Sequence, residues 1–262
     1  MPESSAVDVT KLRLNTLKYL LIAGAAIVLP AMADSHTAYI NSIPDFTQSH
    51  LSGRQFGYGS EMCAPVAVSN SIAWMTGKTD NQYALALQLA SPAYMNTNVW
   101  KGTGTAGVLN GVDVIANELF GDYRGLEYQG WKKHPRRFAS GESIPNINWI
   151  KQGVGRMSAV WLNIGWYRYI RRSNTYYRIG GHWVTMVGYD DNLLILHDPA
   201  PRAGDAFANE YVDTGRIENG TLVDRSTGLY KPARGYVLLG EGMHIKRGAD
   251  VAIIDGAVRF LR

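Results

Sequence analysis

The sequence predicts an α+β fold in which N-terminal helices pack on a C-terminal antiparallel sheet. The first half contains apolar runs of helical length, beginning with residues 63–76. Beyond about residue 156, small, polar and large apolar residues alternate, which is typical of strands. Residues 180–199 contain two β-rich runs on either side of an Asp-Asp-Asn turn, which indicates a β-hairpin. Helices that precede the strands, rather than alternating with them, favour the α+β class.

Three helices are predicted ahead of the sheet. The first spans residues 63–76, because Pro65 suits a first turn and Gly77 directly after the apolar run is a natural stop. A second helix is predicted from Asp80, a suitable N-cap, to about residue 90, and a third over residues 105–120.

Strands are predicted over the second half of the chain. Residues 158–169 alternate in character, and strand-like runs recur near 220–224 and 234–240. The C-terminal stretch 248–262 carries two apolar runs around Asp255-Gly256, which predicts a final hairpin turning at that dipeptide. These strands would form a C-terminal β extension of the domain.

The first 33 residues are typical of a secretion signal. Basic residues precede an apolar run over 19–33 that ends Ala-Met-Ala, so cleavage is expected after Ala33. An uncleaved membrane anchor is the alternative, although the run contains Pro30 and is shorter than the roughly 20 residues of a membrane span. Residues 34–262 are then expected to form one exported domain, periplasmic or secreted.

The net charge and the cysteine content narrow the range of possible functions further. The chain has 262 residues, a formal net charge of +4 and a single cysteine. So small a charge gives no reason to expect a nucleic-acid partner. One cysteine cannot form an internal disulfide, and a lone thiol in an exported protein is better explained by chemistry than by packing. No metal or other cofactor is expected, because the histidines lack the spacing of a metal motif.

Cys63 is the candidate nucleophile. It opens the first predicted helix, where the helix dipole and free backbone N–H groups stabilise a thiolate. The bland alternative is a core residue, since free cysteine is among the most buried residue types. Its position at a helix start, after a glycine-rich loop, favours the catalytic interpretation.

His182 and Asp198 are the candidate base and the residue that orients it. If the hairpin turns at Asp190, both residues lie eight positions from the tip and face each other across the two strands. An imidazole held by a carboxylate can take a proton from a thiol and return it to a leaving group. Asp198 could instead be an ordinary turn residue before Pro199.

Substrate contacts are expected around the candidate base. Gly181 would let a peptide backbone approach, Trp183 follows the histidine, and Trp166 begins a stretch rich in arginine and tyrosine, 166–178, that joins the two central strands. That stretch suits an anionic or carbohydrate-bearing substrate, or is a solvated hairpin with no such role. The other histidines are interpreted as structural or surface residues, namely His36, His50, His134, His197 and His244.

With these residues the chain resembles the papain-like cysteine peptidases, most closely the bacterial group related to the bacteriocin-leader-processing peptidases. The matching pieces are Cys63-Ala64-Pro65, the 158–165 strand, Gly181-His182-Trp183-Val184 and His197-Asp198-Pro199. The resemblance implies a papain-like fold in which Cys63 attacks a peptide carbonyl. It also implies a glutamine ahead of the cysteine in the oxyanion hole, for which Gln55 is the candidate, with Ser60 or backbone N–H groups as alternatives.

The sequence therefore predicts an exported cysteine hydrolase that cleaves peptide or isopeptide bonds in protein or cell-wall peptide. A transglutaminase-type acyl transferase would use the same three residues with an amine as acceptor. A binding or scaffolding protein that retains the site without turnover is the alternative from another class. Oligomeric state is not predicted, and a membrane association follows only if the N-terminal segment is uncleaved.

Overall fold

A computed structural model describes residues 37–51, 61–200 and 209–262. The predicted secretion signal, residues 1–33, lies outside the described residues. Within the described part, no helix has both the length and the apolar character needed to cross a membrane.

The predicted fold class is wrong. The described chain is mostly antiparallel sheet, six strands of which close into a barrel, with a few short helices beside it, rather than helices packed on an open sheet. The sheet has ten strands within the described residues. Their bounds are β1 Thr37–Tyr39, β2 Gly125–Gly130, β3 Ser158–Ile170, β4 Thr175–Asp190, β5 Leu193–His197, β6 Glu210–Arg216, β7 Thr221–Asp224, β8 Leu229–Pro232, β9 Val237–Leu239 and β10 Val251–Leu261.

The ring closes because β10 pairs on one side with β3 and on the other with β9. From β9 the pairing continues through β6, β5 and β4 back to β3, so each of these strands has a neighbour on both sides. One buried apolar cluster draws side chains from all six strands and fills the interior, including Leu162, Val184, Leu196, Val212, Leu239 and Ile254. Closure leaves no open edge within the ring, and the described strands with a single neighbour, β1, β2 and β8, branch from it.

The C-terminal stretch is a second correction. Residues 251–261 form one continuous strand, β10, rather than a hairpin, and this strand completes the barrel instead of extending from it. Asp255-Gly256, predicted as a turn, is the position of a β-bulge, where the register against β3 shifts between Ile254 and Gly256. Asp255 is completely buried there.

The bounds of the four described helices are α1 Cys63–Thr76, α2 Gln82–Ala90, α3 Thr105–Phe120 and α4 Ile147–Gln152. Three of them, α1 to α3, share one apolar cluster against the outside of the barrel, and α4 packs against the interior cluster through Ile150. The predicted spans 63–76 and 105–120 are confirmed, and Gly77 ends α1 in the left-handed conformation that glycine adopts most readily. Residues of α1 and α3 share a buried cluster with Trp161 of β3, Trp183 of β4 and Phe260 of β10. This packing seats the start of α1 against β4.

Candidate active site

Cys63 is the first residue of α1 and lines a cavity of about 160 Å³. It is 9% exposed, so the thiol is reached through this cavity rather than from open surface. The first turn of a helix has backbone N–H groups without intrahelical partners, and the helix dipole places partial positive charge there. The position therefore favours negative charge that develops beside the helix start.

His182 lines the same cavity from β4. Its Nε2 lies 2.5 Å from Asp198 Oδ1, and its ring stacks on Trp166 with centroids 5.8 Å apart. The imidazole is also within hydrogen-bonding reach of Cys63. Since Nε2 is engaged by the carboxylate, Nδ1 is the ring nitrogen left to exchange a proton with the thiol.

The His182 and Asp198 side chains form a buried ion pair. Burial opposes charge on the imidazole, but the Asp198 carboxylate and the neighbouring Cys63 outweigh it and raise the pKa of His182 to about 10. Burial likewise opposes charge on the carboxylate, yet His182 and His244 hold the pKa of Asp198 well below its usual range. His182 is therefore a cation at neutral pH.

His244 is a member of this cluster that the sequence did not reveal. It follows β9 in an irregular segment without periodicity, and it was interpreted as a surface residue. In the structure its Nδ1 lies 2.7 Å from Asp198 Oδ2, so the carboxylate contacts an imidazole at each oxygen. Trp166 contacts both imidazole rings, which restricts their orientation. His244 therefore positions Asp198.

The same three residues resemble a metal-binding set, since their donor atoms lie within 4.8 Å of one another. A metal ion between two protein ligands needs about 2.0–2.1 Å to each nitrogen, which would separate the donors by roughly 3 Å or more. The 2.5 Å between His182 Nε2 and Asp198 Oδ1 is that of a direct hydrogen bond. The 2.7 Å between His244 Nδ1 and Asp198 Oδ2 is a close contact in which neither atom has a hydrogen-bond partner among the described residues. Both separations are too short for a metal ion to lie between the two atoms.

The cavity that contains Cys63 and His182 is polar and mostly cationic. Its charged side chains are Glu61, Lys101, Lys132 and Arg178. Asn163 of β3 also lines it, is 5% exposed and has an Oδ1 with no hydrogen-bond partner among the described residues. A larger cavity of about 610 Å³ lies beside β2 and α4, but neither candidate catalytic side chain lines it. The smaller cavity is therefore the candidate active site, because the candidate nucleophile and base line it.

Of the other predicted site residues, some line the cavity and some do not. Gly181 and Trp183 line the cavity, and the Trp183 indole donates a hydrogen bond to Thr103 O at 3.1 Å. Trp166 is buried against the two histidines rather than in the cavity lining. Gln55, the oxyanion candidate, lies outside the described residues.

The predicted register of the hairpin is also wrong. The strands β4 and β5 pair Asp190 with Leu193, so the turn lies beyond Asp190, and a bulge shifts the pairing between Met186 and Gly188. His182 is therefore not directly opposite Asp198. The two meet because Asp198 follows the last strand residue, His197, and its side chain turns back toward the imidazole.

Thr185 ties α1 to the strand that carries His182. Its hydroxyl donates to Ala67 O at 2.6 Å, although the two residues belong to different elements and are fully buried. Asn70 Nδ2 in turn approaches the Thr185 Oγ1 at 3.4 Å. These contacts fix the distance between the helix start and β4, and thereby between Cys63 and His182.

Thr185→Val is expected to lower the free energy of unfolding by about 1–3 kcal/mol, because the isosteric side chain removes the hydroxyl that donates to Ala67 O and accepts from Asn70 Nδ2. The reaction of Cys63 with iodoacetamide should slow as α1 loses its fixed position. Urea unfolding and intact mass measure the two effects. Thr185→Ser, which keeps the hydroxyl, is the control; equal stability and reactivity of the two variants would contradict this role.

Comparison with protein-family models, curated proteins and solved structures returns no match for this chain. The function is therefore argued from the geometry of the site.

Proposed function

We propose that this protein is an exported cysteine peptidase that hydrolyses peptide or isopeptide bonds through an acyl-enzyme on Cys63. The single observation that carries the proposal is that a helix-terminal thiol and a carboxylate-bound imidazole line one cavity. Export is supported by the signal-like N-terminal segment. The substrate is protein or cell-wall peptide.

In the first half of the reaction the Cys63 sulfur, having given its proton to His182, attacks the carbonyl carbon as a thiolate. A C–S bond forms and the carbonyl π electrons move onto oxygen, where the backbone N–H of Cys63, at the helix start, stabilises the charge. His182 then donates its proton to the amine nitrogen as the C–N bond breaks. The amine leaves, and the products on the enzyme are a thioester and a neutral imidazole.

In the second half His182 acts as a base. It takes a proton from water, whose oxygen bonds to the thioester carbon, and the C–S bond breaks with its electron pair returning to sulfur. Asp198 remains ionised throughout and stabilises the imidazolium at both ends of the cycle. An amine in place of water would give acyl transfer by the same groups.

A cleavage assay tests the proposal. The purified protein is incubated with a protein digest and with cell-wall peptides, and new termini are identified by mass spectrometry. We expect cleavage that iodoacetamide stops and that EDTA leaves intact, since the proposed chemistry needs the thiol and no metal ion.

The matched control is Cys63→Ala, which keeps the helix and removes only the sulfur. It should cleave nothing above background and should retain the thermal stability of the parent. Cleavage that survives Cys63→Ala, or that EDTA abolishes, would overturn the proposal.

A further inference from the structure

A buried arginine reaches the cavity beside the candidate catalytic pair. Arg178 lies on β4, four residues before His182, and lines the cavity together with Cys63. Its side chain is 14% exposed and its Nε donates to Asp255 Oδ2 at 2.6 Å. Asp255 is completely buried at the bulge of β10. Arg178 ends the 166–178 stretch whose arginines were expected to suit an anionic substrate or to be solvated, whereas Asp255 lay in an expected turn.

Asp255 is held by three donors. Besides Arg178, the Trp131 indole donates to its Oδ1 at 2.9 Å, and the Tyr167 hydroxyl donates to the same oxygen. The carboxylate is thus fixed by donors from β4, from β3 and from the segment that follows β2. Because its hydrogen bonds are this complete, Asp255 in turn fixes the orientation of the Arg178 guanidinium.

Two facing glycines make room for this ion pair. Gly165 of β3 is paired with Gly181 of β4. A Cβ at position 165 would collide with both carboxylate oxygens of Asp255, and a Cβ at position 181 would collide with the guanidinium of Arg178. The space that Gly181 was expected to offer to a peptide backbone is therefore occupied by Arg178.

Burying two charges costs several kcal/mol per ion before their attraction is counted, so the pair is weak evidence for a purely stabilising role. The guanidinium has five N–H donors in a fork that matches a carboxylate. Within the described residues its only hydrogen bond is the one from Nε to Asp255. The terminal N–H groups therefore remain to bind a ligand in the cavity.

The other cavity residues favour an anionic, hydrogen-bonding ligand. Lys101 and Lys132 add positive charge against one carboxylate, Glu61, although Lys132 also pairs with Asp224. The unpartnered Oδ1 of Asn163 is costly when buried and would be satisfied by an N–H group of a ligand. A peptide that carries a carboxylate supplies both groups.

We propose that Arg178 binds a carboxylate of the substrate in the Cys63 cavity, so that the protein acts on peptides with a carboxylate beside the scissile bond. The proposal rests on the function proposed above, but its test does not. Asp255 is then a positioning residue, which holds the guanidinium with its free N–H groups toward the cavity.

Alkylation of Cys63 tests the carboxylate site without any turnover. Iodoacetate and iodoacetamide deliver the same reactive carbon and leaving group, and differ in carrying a carboxylate or an amide. The rate with iodoacetate is divided by the rate with iodoacetamide, both measured by intact mass. This ratio is determined for the folded protein and again in urea, where it gives the intrinsic preference of the thiol. We expect the ratio to be about tenfold higher in the folded protein, as expected for one charge-assisted hydrogen bond.

Arg178→Gln should return the ratio to its value in urea, whereas Arg178→Lys should keep part of the preference because it keeps the charge but not the fork. The matched control is Arg137→Gln, which neutralises an arginine paired with Asp113 outside the cavity lining. Its ratio should equal that of the parent. The proposal would be overturned if the parent protein gave the same ratio folded and in urea. It would also be overturned if Arg178→Gln kept the preference for iodoacetate.

A second measurement on the parent protein covers the case in which Arg178→Gln does not fold. Succinate should slow the reaction of iodoacetamide with Cys63, and succinamide at the same concentration should not; equal effects would overturn the proposal. A preference for iodoacetate without any peptide cleavage would sustain the carboxylate site and overturn the peptidase. Peptide cleavage without a preference for iodoacetate would sustain the peptidase and overturn the carboxylate site.

Discussion

Replacing His182 with alanine is expected to lower kcat/KM for peptide cleavage by at least about 10³-fold. The imidazole delivers a proton to the leaving amine and removes one from water, so both halves of the reaction lose their proton carrier. Its positive charge beside Cys63 also disappears. Iodoacetamide alkylation of Cys63 at pH 6 should slow as well, which intact mass measures without a substrate.

His197→Ala provides a matched control for this variant. His197 is also a buried histidine of the same hairpin, but its nitrogens face Pro44 O at 3.2 Å and Asn209 Oδ1 at 2.9 Å, outside the cavity. It should lose stability and keep kcat/KM per folded molecule within a few-fold. Similar losses of activity in both variants would mean that His182 acts through folding alone.

Asp198→Asn is expected to lower the free energy of unfolding by about 3–5 kcal/mol near pH 6, because it leaves His182 buried without its counter-charge. The loss should shrink as the pH rises. In the parent protein the pKa of His182 is raised from 6.5 to about 10, so its contribution is complete below pH 6.5 and is lost as the pH rises through about 10. Urea unfolding at a series of pH values measures the difference.

Glu210 adds to this trend in the same direction. Burial and the nearby charges of Asp198 and Asp45 raise the pKa of Glu210 to about 9, so its ionisation costs stability as the pH rises, and removing the Asp198 charge relieves part of that cost. The matched control is Asp224→Asn, which breaks the buried pair with Lys132 and should cost a constant amount between pH 6.5 and 9. A pH-independent loss in Asp198→Asn would contradict the ion pair.

Local signals predicted the parts of the fold that depend on local interactions. The first helix begins at Cys63 and ends at Gly77 as expected, because proline in the first turn and a left-handed glycine after the last turn are determined by backbone geometry within a few residues. The alternation of β3 was likewise visible. Closure of the barrel could not be predicted from local sequence, because it depends on the pairing of Ser158 with Leu261, which are far apart in the chain.

The candidate site likewise contains residues that local sequence signals predicted and residues that they did not. Cys63, His182 and Asp198 were found from their settings in a helix start and a hairpin, although the register assumed for that hairpin was wrong. His244 gave no signal, because its role comes from a contact with Asp198, which is distant in sequence. Arg178 belonged to a stretch expected to suit an anionic substrate, but its partner Asp255, also distant in sequence, gave no signal. A bulge and a tight turn also share the dipeptide Asp-Gly, which explains the misinterpretation of Asp255.

The closure of the ring by β10 sets the order in which the molecule can become reactive. The strand that completes the barrel, β10, follows every other described strand, and its Val258 and Phe260 belong to the cluster that seats α1. During synthesis the helix that carries the thiol emerges long before that cluster can form. Pairings so distant in sequence are also slow to form. The start of α1 is thus expected to reach its place beside His182 only after β10 has joined the sheet.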